Sequence, residues 1–104
     1  MAQFDVHRNP NASQRHQPAF FIVLQSDFVD YLATRLVAPL YDIGTVGNLP
    51  DRLAPTVIVE DREYVVAVPQ MAGIPKARLG AKVASLDRHH DALVGAMDFL
   101  ISGF

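Results

Sequence analysis

The residues best suited to chemistry are four histidines, an aspartate pair, a two-glycine loop and a few arginines. His89 and His90 are neighbours in a segment with helical spacing, so their side chains point roughly 100° apart and do not grip one metal ion together. His7 and His16 lie in polar segments and read as solvated or locally bonded side chains. Asp87 and Asp91 share a helix face at i,i+4. A catalytic carboxylate pair needs a cleft that drives the two pKa values apart, whereas capping and dipole complementarity explain both residues at a helix start. Gly44-Thr45-Val46-Gly47 lacks the Gly-Lys-Ser/Thr ending of a phosphate-binding loop and reads as a turn that needs positive φ. Arg35, Arg52, Arg62 and Ser26 are residue types found in nuclease sites, but their spacing does not bring them together. The chain has no cysteine, which excludes disulfides, thiolate metal sites and cysteine nucleophiles. No cofactor or metal is expected.

The 104 residues suit one domain spanning 1–104, and 50% hydrophobic with 19% charged residues argues against disorder. Net charge is −2, and the nine Lys and Arg residues form no stripe. Affinity for nucleic acid comes largely from phosphate neutralisation, so direct nucleic-acid binding is not expected. No run approaches the ~20 apolar residues needed to span a bilayer. Met1 to His16 is polar and unlike a secretory signal. A cytoplasmic, membrane-free protein is expected.

The elements follow from periodicity. Phe4 and Val6 alternate with polar neighbours and predict a short strand. Ala19 to Leu24 is a continuous apolar run, predicting a central strand buried on both faces. Arg35 to Leu40 predicts a third strand, which Pro39 places at an edge or bulge. Thr56–Val59 and Tyr64–Val68 predict a hairpin around Glu60-Asp61-Arg62-Glu63. Ala77 to Ala84 reads as a short strand or loop. Asp87 to Ile101 predicts the one helix, with Asp87 as N-cap, a stripe of Leu93, Val94, Ala96, Met97, Leu100 and Ile101, and Gly103 as its stop. Gly95 inside the helix suggests a close packing contact. Strands followed by one helix favour a mainly β, antiparallel fold with a packed helix.

The end of the sequence is unusual. Phe99-Leu100-Ile101-Ser102-Gly103-Phe104 keeps apolar residues to the last position, where polar, frayed residues are the norm. Such a segment either folds back or offers a contact surface. Phe28-Val29, between Asp27 and Asp30, has a similar character.

Gln25-Ser26-Asp27-Phe28-Val29-Asp30 resembles a segment of the CcdB family of toxins, where Gln-Ser-Asp precedes two exposed apolar residues and an aspartate. Arg35-Leu36-Val37-Ala38-Pro39-Leu40, Pro55-Thr56-Val57-Ile58-Val59, Met71-Ala72-Gly73-Ile74-Pro75, Leu79-Gly80 and Val83-Ala84-Ser85-Leu86 match in order, over nearly the whole chain. The resemblance implies an SH3-like antiparallel barrel with a small second sheet and a C-terminal helix. It implies a homodimer, the toxin of a type II toxin–antitoxin pair, held by a small antitoxin with a flexible tail. It implies a non-enzymatic toxin that binds the A subunit of DNA gyrase and traps the cleavage complex. The target-binding positions carried over are Phe28, Val29, Asp98, Ile101, Ser102, Gly103 and Phe104. The family ends Trp-Gly-Ile, so Ser102 stands where a tryptophan stacks on a gyrase arginine, and Asp98 stands where asparagine is frequent. Three alternatives remain open: a weakly toxic homologue that no longer targets gyrase, a non-toxic structural barrel module, and an endoribonuclease toxin on the same barrel, as in MazF and Kid. The last would need an arginine, Arg35 or Arg52, with a threonine, serine or histidine beside a groove.

Overall fold

Apolar alternation organises a sheet with two covered faces. The computed structural model describes residues 1–14, 16–45 and 47–103. The described residues form seven strands: β1 (Asp5–Arg8), β2 (Phe20–Val23), β3 (Thr34–Asp42), β4 (Thr56–Val59), β5 (Arg62–Val66), β6 (Ala72–Pro75) and β7 (Lys82–Ser85). One helix, α1 (His90–Ser102), follows them. The strands pair antiparallel in the order β4-β5-β3-β2-β1-β7, and β6 pairs with β3 off that path. This is the mainly β half-barrel with a C-terminal helix that the resemblance implies. Its small second sheet is here the β3–β6 branch of a single sheet.

Val6, Phe20, Ile22, Leu24, Ala38, Leu40, Val57, Val59 and Val66 line the concave face and meet Leu93 and Ala96 of α1 in the main core. Each valine, leucine, isoleucine and phenylalanine among them contributes about 1.5–3 kcal/mol when fully buried, and the two alanines less. On the other face Val23, Val37 and Leu79 pack with Met1, Phe21 and Ile74. Strand β2 is therefore covered on both sides, as its unbroken apolar run predicts.

Pro39 departs from expectation. It is buried in a central strand, neither at an edge nor in a bulge. Toward β5, β3 pairs through Leu40–Asp42, and toward β6 through Thr34–Val37. Pro39 falls in the gap between those two partners, where a missing N–H breaks no ladder bond. Its carbonyl still accepts from Ala67 N at 2.9 Å.

The hairpin is tighter than the sequence suggests. Arg62 and Glu63 belong to β5, leaving Glu60-Asp61 as a two-residue turn with φ of +52° and +65°. Two left-handed residues define the type I′ turn, whose twist matches the strands it joins. Glu60 also pairs with Arg8 at 2.6 Å.

Gly80 is needed for close approach. Its N–H donates to Arg8 O at 2.8 Å, and a Cβ there would lie 2.8 Å from that same oxygen. At the helix start, a 3₁₀ turn over Asp87–His89 precedes α1, and His89 is the cap residue, without a side-chain capping bond. Asp87 is thus not the N-cap; instead its N–H meets Ser85 Oγ at 3.4 Å. Gly95 has nothing within 4 Å of a hypothetical Cβ, so no close contact accounts for it. Gly103 ends the helix as expected, with φ of +77° and its N–H on Phe99 O at 2.9 Å.

Candidate functional site

The segment after β2 is built from side chains that bond to backbone. Gln25 donates Nε2 to Val29 O at 2.9 Å and accepts from Leu36 N at 3.0 Å. Ser26 Oγ accepts from Phe28 N at 3.2 Å, capping the 3₁₀ turn Asp27–Val29. Asp27 Oδ1 accepts from Gln3 N at 2.6 Å. Gln-Ser-Asp is therefore a stand that fixes the turn and leaves its apolar tip outside. Phe28 is 93% exposed, and Val29 is half-buried.

Arg35 holds the far side of the same loop. Its side chain is 1% exposed, and its guanidinium donates to Asp30 O at 2.5 Å, Asp30 Oδ1 at 2.8 Å, Thr34 O at 2.9 Å and Leu32 O. Its Nε is buried without a partner. A buried charge persists only when paired and hydrogen-bonded, so this arginine serves to fix residues 30–34. The loop presents Tyr31 at 82% and Leu32 at 42% exposure. Sequence reasoning missed both residues. The available signal was an aromatic and a leucine in a short segment between strands, which periodicity alone cannot assign to core or surface.

The helix end forms the second group. Asp98, Ser102 and Gly103 are exposed, and Ile101 is 72% exposed. Phe104 lies outside the described residues. Phe99 is half-buried, with the Arg52 guanidinium 4.0 Å from its ring centroid. The tip is thus braced by Arg52, and the loop by Gln25 and Arg35.

The candidates for catalysis scatter. Arg35 is buried, Arg52 sits on Phe99, Arg62 pairs with Asp42 at 3.2 Å, and Ser26 caps a turn. His7 is buried rather than solvated, with Nδ1 2.9 Å from Gly80 O and Nε2 unpartnered. His90 Nδ1 lies 3.1 Å from the exposed Asp91. Among the described residues, no group of three or more His, Cys, Asp or Glu side chains could hold a metal ion. Burial pushes the Tyr64 phenol above its ordinary range, partly opposed by the charge of Arg62.

The described residues thus offer two apolar displays, one on the loop after β2 and one at the end of α1. A sequence model of the CcdB protein family matches residues 3–103. The chain belongs to the CcdB family. It is accordingly a CcdB-family toxin of a toxin–antitoxin system. Among solved structures it is similar to the Mycobacterium tuberculosis toxin MazF-mt6, with TM-score 0.71 and 21% identity, over 92% of this chain and 94% of that one. It is also similar to an endoribonuclease in complex with its cognate antitoxin from mycobacterial species, with TM-score 0.73 and 11% identity over 97% and 94% of the two chains. At these identities the likeness establishes a shared fold. No described helix of this CcdB-family chain is long and apolar enough to cross a membrane.

Proposed function

We propose that this CcdB-family chain is a gyrase poison that acts by binding. As a homodimer it docks on the A subunit of DNA gyrase and holds the enzyme on cleaved DNA, with no covalent chemistry of its own. The observation that carries this reading is the display of Phe28 and Ile101 to solvent on braced supports, in a chain whose candidate catalytic residues are otherwise engaged. Preorganised apolar and aromatic side chains are what binding hot spots require. A small antitoxin with a flexible tail neutralises the toxin by covering the same surface.

The test is purified gyrase with supercoiled DNA. Added toxin should raise the fraction of DNA recovered cleaved after denaturation, and Phe28→Ser should lower that yield. Undiminished religation at saturating toxin would refute the proposal.

A second reading is kept because the fold is shared with an endoribonuclease. On this chain it would need a phosphate-binding arginine, and Arg35 already has its donors committed to Asp30, Leu32 and Thr34. RNA cleavage by the purified toxin, lost on Arg52→Ala, would favour that reading over the first.

A further inference from the structure

Among the described residues, three that are not glycine have positive φ, and two of them form the Glu60-Asp61 hairpin turn. The third is Phe4, at +66°. A bulky side chain in the left-handed region is a true outlier, because its Cβ crowds the following carbonyl. Residues Ala2–Asp5 form a β-turn that closes twice. Asp5 N–H donates to Ala2 O at 3.1 Å, and Ala2 N–H donates to Asp5 Oδ2 at 3.0 Å. Phe4 is the third residue of that turn and Gln3, at negative φ, the second. That is the type II pattern, whose third residue is ordinarily glycine or asparagine.

The ring explains why glycine is absent. It is 1% exposed and meets His90, the first residue of α1, edge to face with centroids 5.6 Å apart. The backbone is pinned as well: Phe4 N–H donates to Val23 O at 2.6 Å, and Phe4 O accepts from Leu86 N at 2.9 Å. Strained angles persist only where the surroundings over-determine them, and they cluster at functional sites. Here the strain has a visible product. Positive φ at Phe4 turns the preceding peptide out of the line of β1 and over the end of β2. Gln3 then donates its N–H to Asp27 Oδ1 at 2.6 Å and its Nε2 to Leu24 O at 3.1 Å. Asp27 opens the 3₁₀ turn whose next residue is the exposed Phe28.

We infer that Phe4 is a positioning residue for the Phe28 display: its left-handed turn, anchored by the buried ring, aims Gln3 at Asp27 and fixes the 3₁₀ turn from the side of β1. This rests on reading Phe28 as a contact residue, as above, but its readout needs no gyrase and stands if the target is another protein. The chain has no tryptophan, so Phe28→Trp places a single fluorescent reporter at a position outside the core. In that background the nanosecond anisotropy decay is compared for the parent, Asp27→Ala and Phe4→Leu, well below each melting temperature. Global stability does not move this readout, whereas release of the loop does.

Both variants should raise the fast, loop-motion share of the decay roughly twofold or more. An unchanged decay in Asp27→Ala overturns the clasp between Gln3 and Asp27. An unchanged decay in folded Phe4→Leu overturns the anchoring ring. Asp27 is exposed, so its variant decides the point even where a Phe4 variant does not fold. The strain has its own test by urea denaturation without the reporter. Phe4→Gly should have an unfolding constant about fivefold smaller than Phe4→Ala, because only glycine takes positive φ freely. The opposite order, or equal stability, overturns the strained turn.

Discussion

Replacing Arg35 with methionine tests the claim that a buried cation holds the displayed loop. Methionine is flexible enough to fill the space but donates no hydrogen bond. The change strips the ligands from Asp30 O, Asp30 Oδ1, Leu32 O and Thr34 O at once. Breaking a buried ion pair by removing one partner costs about 3–5 kcal/mol. Two features pull the value down. Asp30, Leu32 and Thr34 are exposed residues, so water can reach part of what the guanidinium leaves, and burying the arginine already carries a desolvation cost. The expected loss is therefore about 2–3 kcal/mol. For a domain of this size each kcal/mol is worth roughly 4–8 °C, so the melting temperature should fall by about 8–24 °C. Urea denaturation at one fixed protomer concentration is the assay, because self-association would shift apparent stability. The denaturant slope should stay unchanged. Limited proteolysis should add a new cut between residues 28 and 34. A loss below about 0.5 kcal/mol, with the loop still protected, would refute the reasoning, since that is the size of an ordinary surface substitution.

Other expectations follow from single positions. Gly95→Ala should stabilise by about 1 kcal/mol, because a helical glycine with no neighbour near its Cβ position gains propensity and loses no contact; chemical denaturation measures it, and a destabilised variant would contradict the open site. Gly80→Ala should cost about 1–3 kcal/mol by the same assay, because the added carbon meets the Arg8 carbonyl oxygen. Leu93→Ala, at 0% exposure where α1 meets the sheet, should cost about 2–5 kcal/mol. Tyr64 titrates at a raised value because its ring is buried, so the unfolded chain ionises first. Its contribution is complete below pH 10, the ordinary tyrosine value, and declines as pH rises through the folded pKa. The stability difference between wild type and Tyr64→Phe should therefore shift against the wild type above pH 10 and be flat below it.

Much of this fold could be read from side-chain periodicity. The unbroken run Ala19–Leu24 could be buried on both faces only in a central strand, and β2 lies between β1 and β3. The helix was legible from Leu93 and Ala96, and its stop from Gly103. Where sequence reasoning erred, a long-range contact or a local irregularity decided. Pro39 signals an edge until one knows that the partner of β3 changes beside it. His7 sits among polar neighbours in sequence, yet the Leu79-Gly80 segment comes across to bury it. Asp87 has the chemistry of a cap, but a 3₁₀ turn intervenes before the α-helix. The displayed loop was half legible. Phe28 and Val29 stood out between two aspartates, whereas Tyr31 and Leu32 are recognisable as surface only once Arg35 is seen to tie down the backbone around them.

The central claim is that toxicity comes from docking on gyrase rather than from catalysis. The most direct measurement is killing by induced toxin in two otherwise identical bacterial hosts, one with wild-type gyrase and one with a gyrase A subunit resistant to this toxin class. The account predicts loss of viability and induced DNA breaks in the first host and near-normal growth in the second. Equal killing in both, at equal toxin levels, would contradict it.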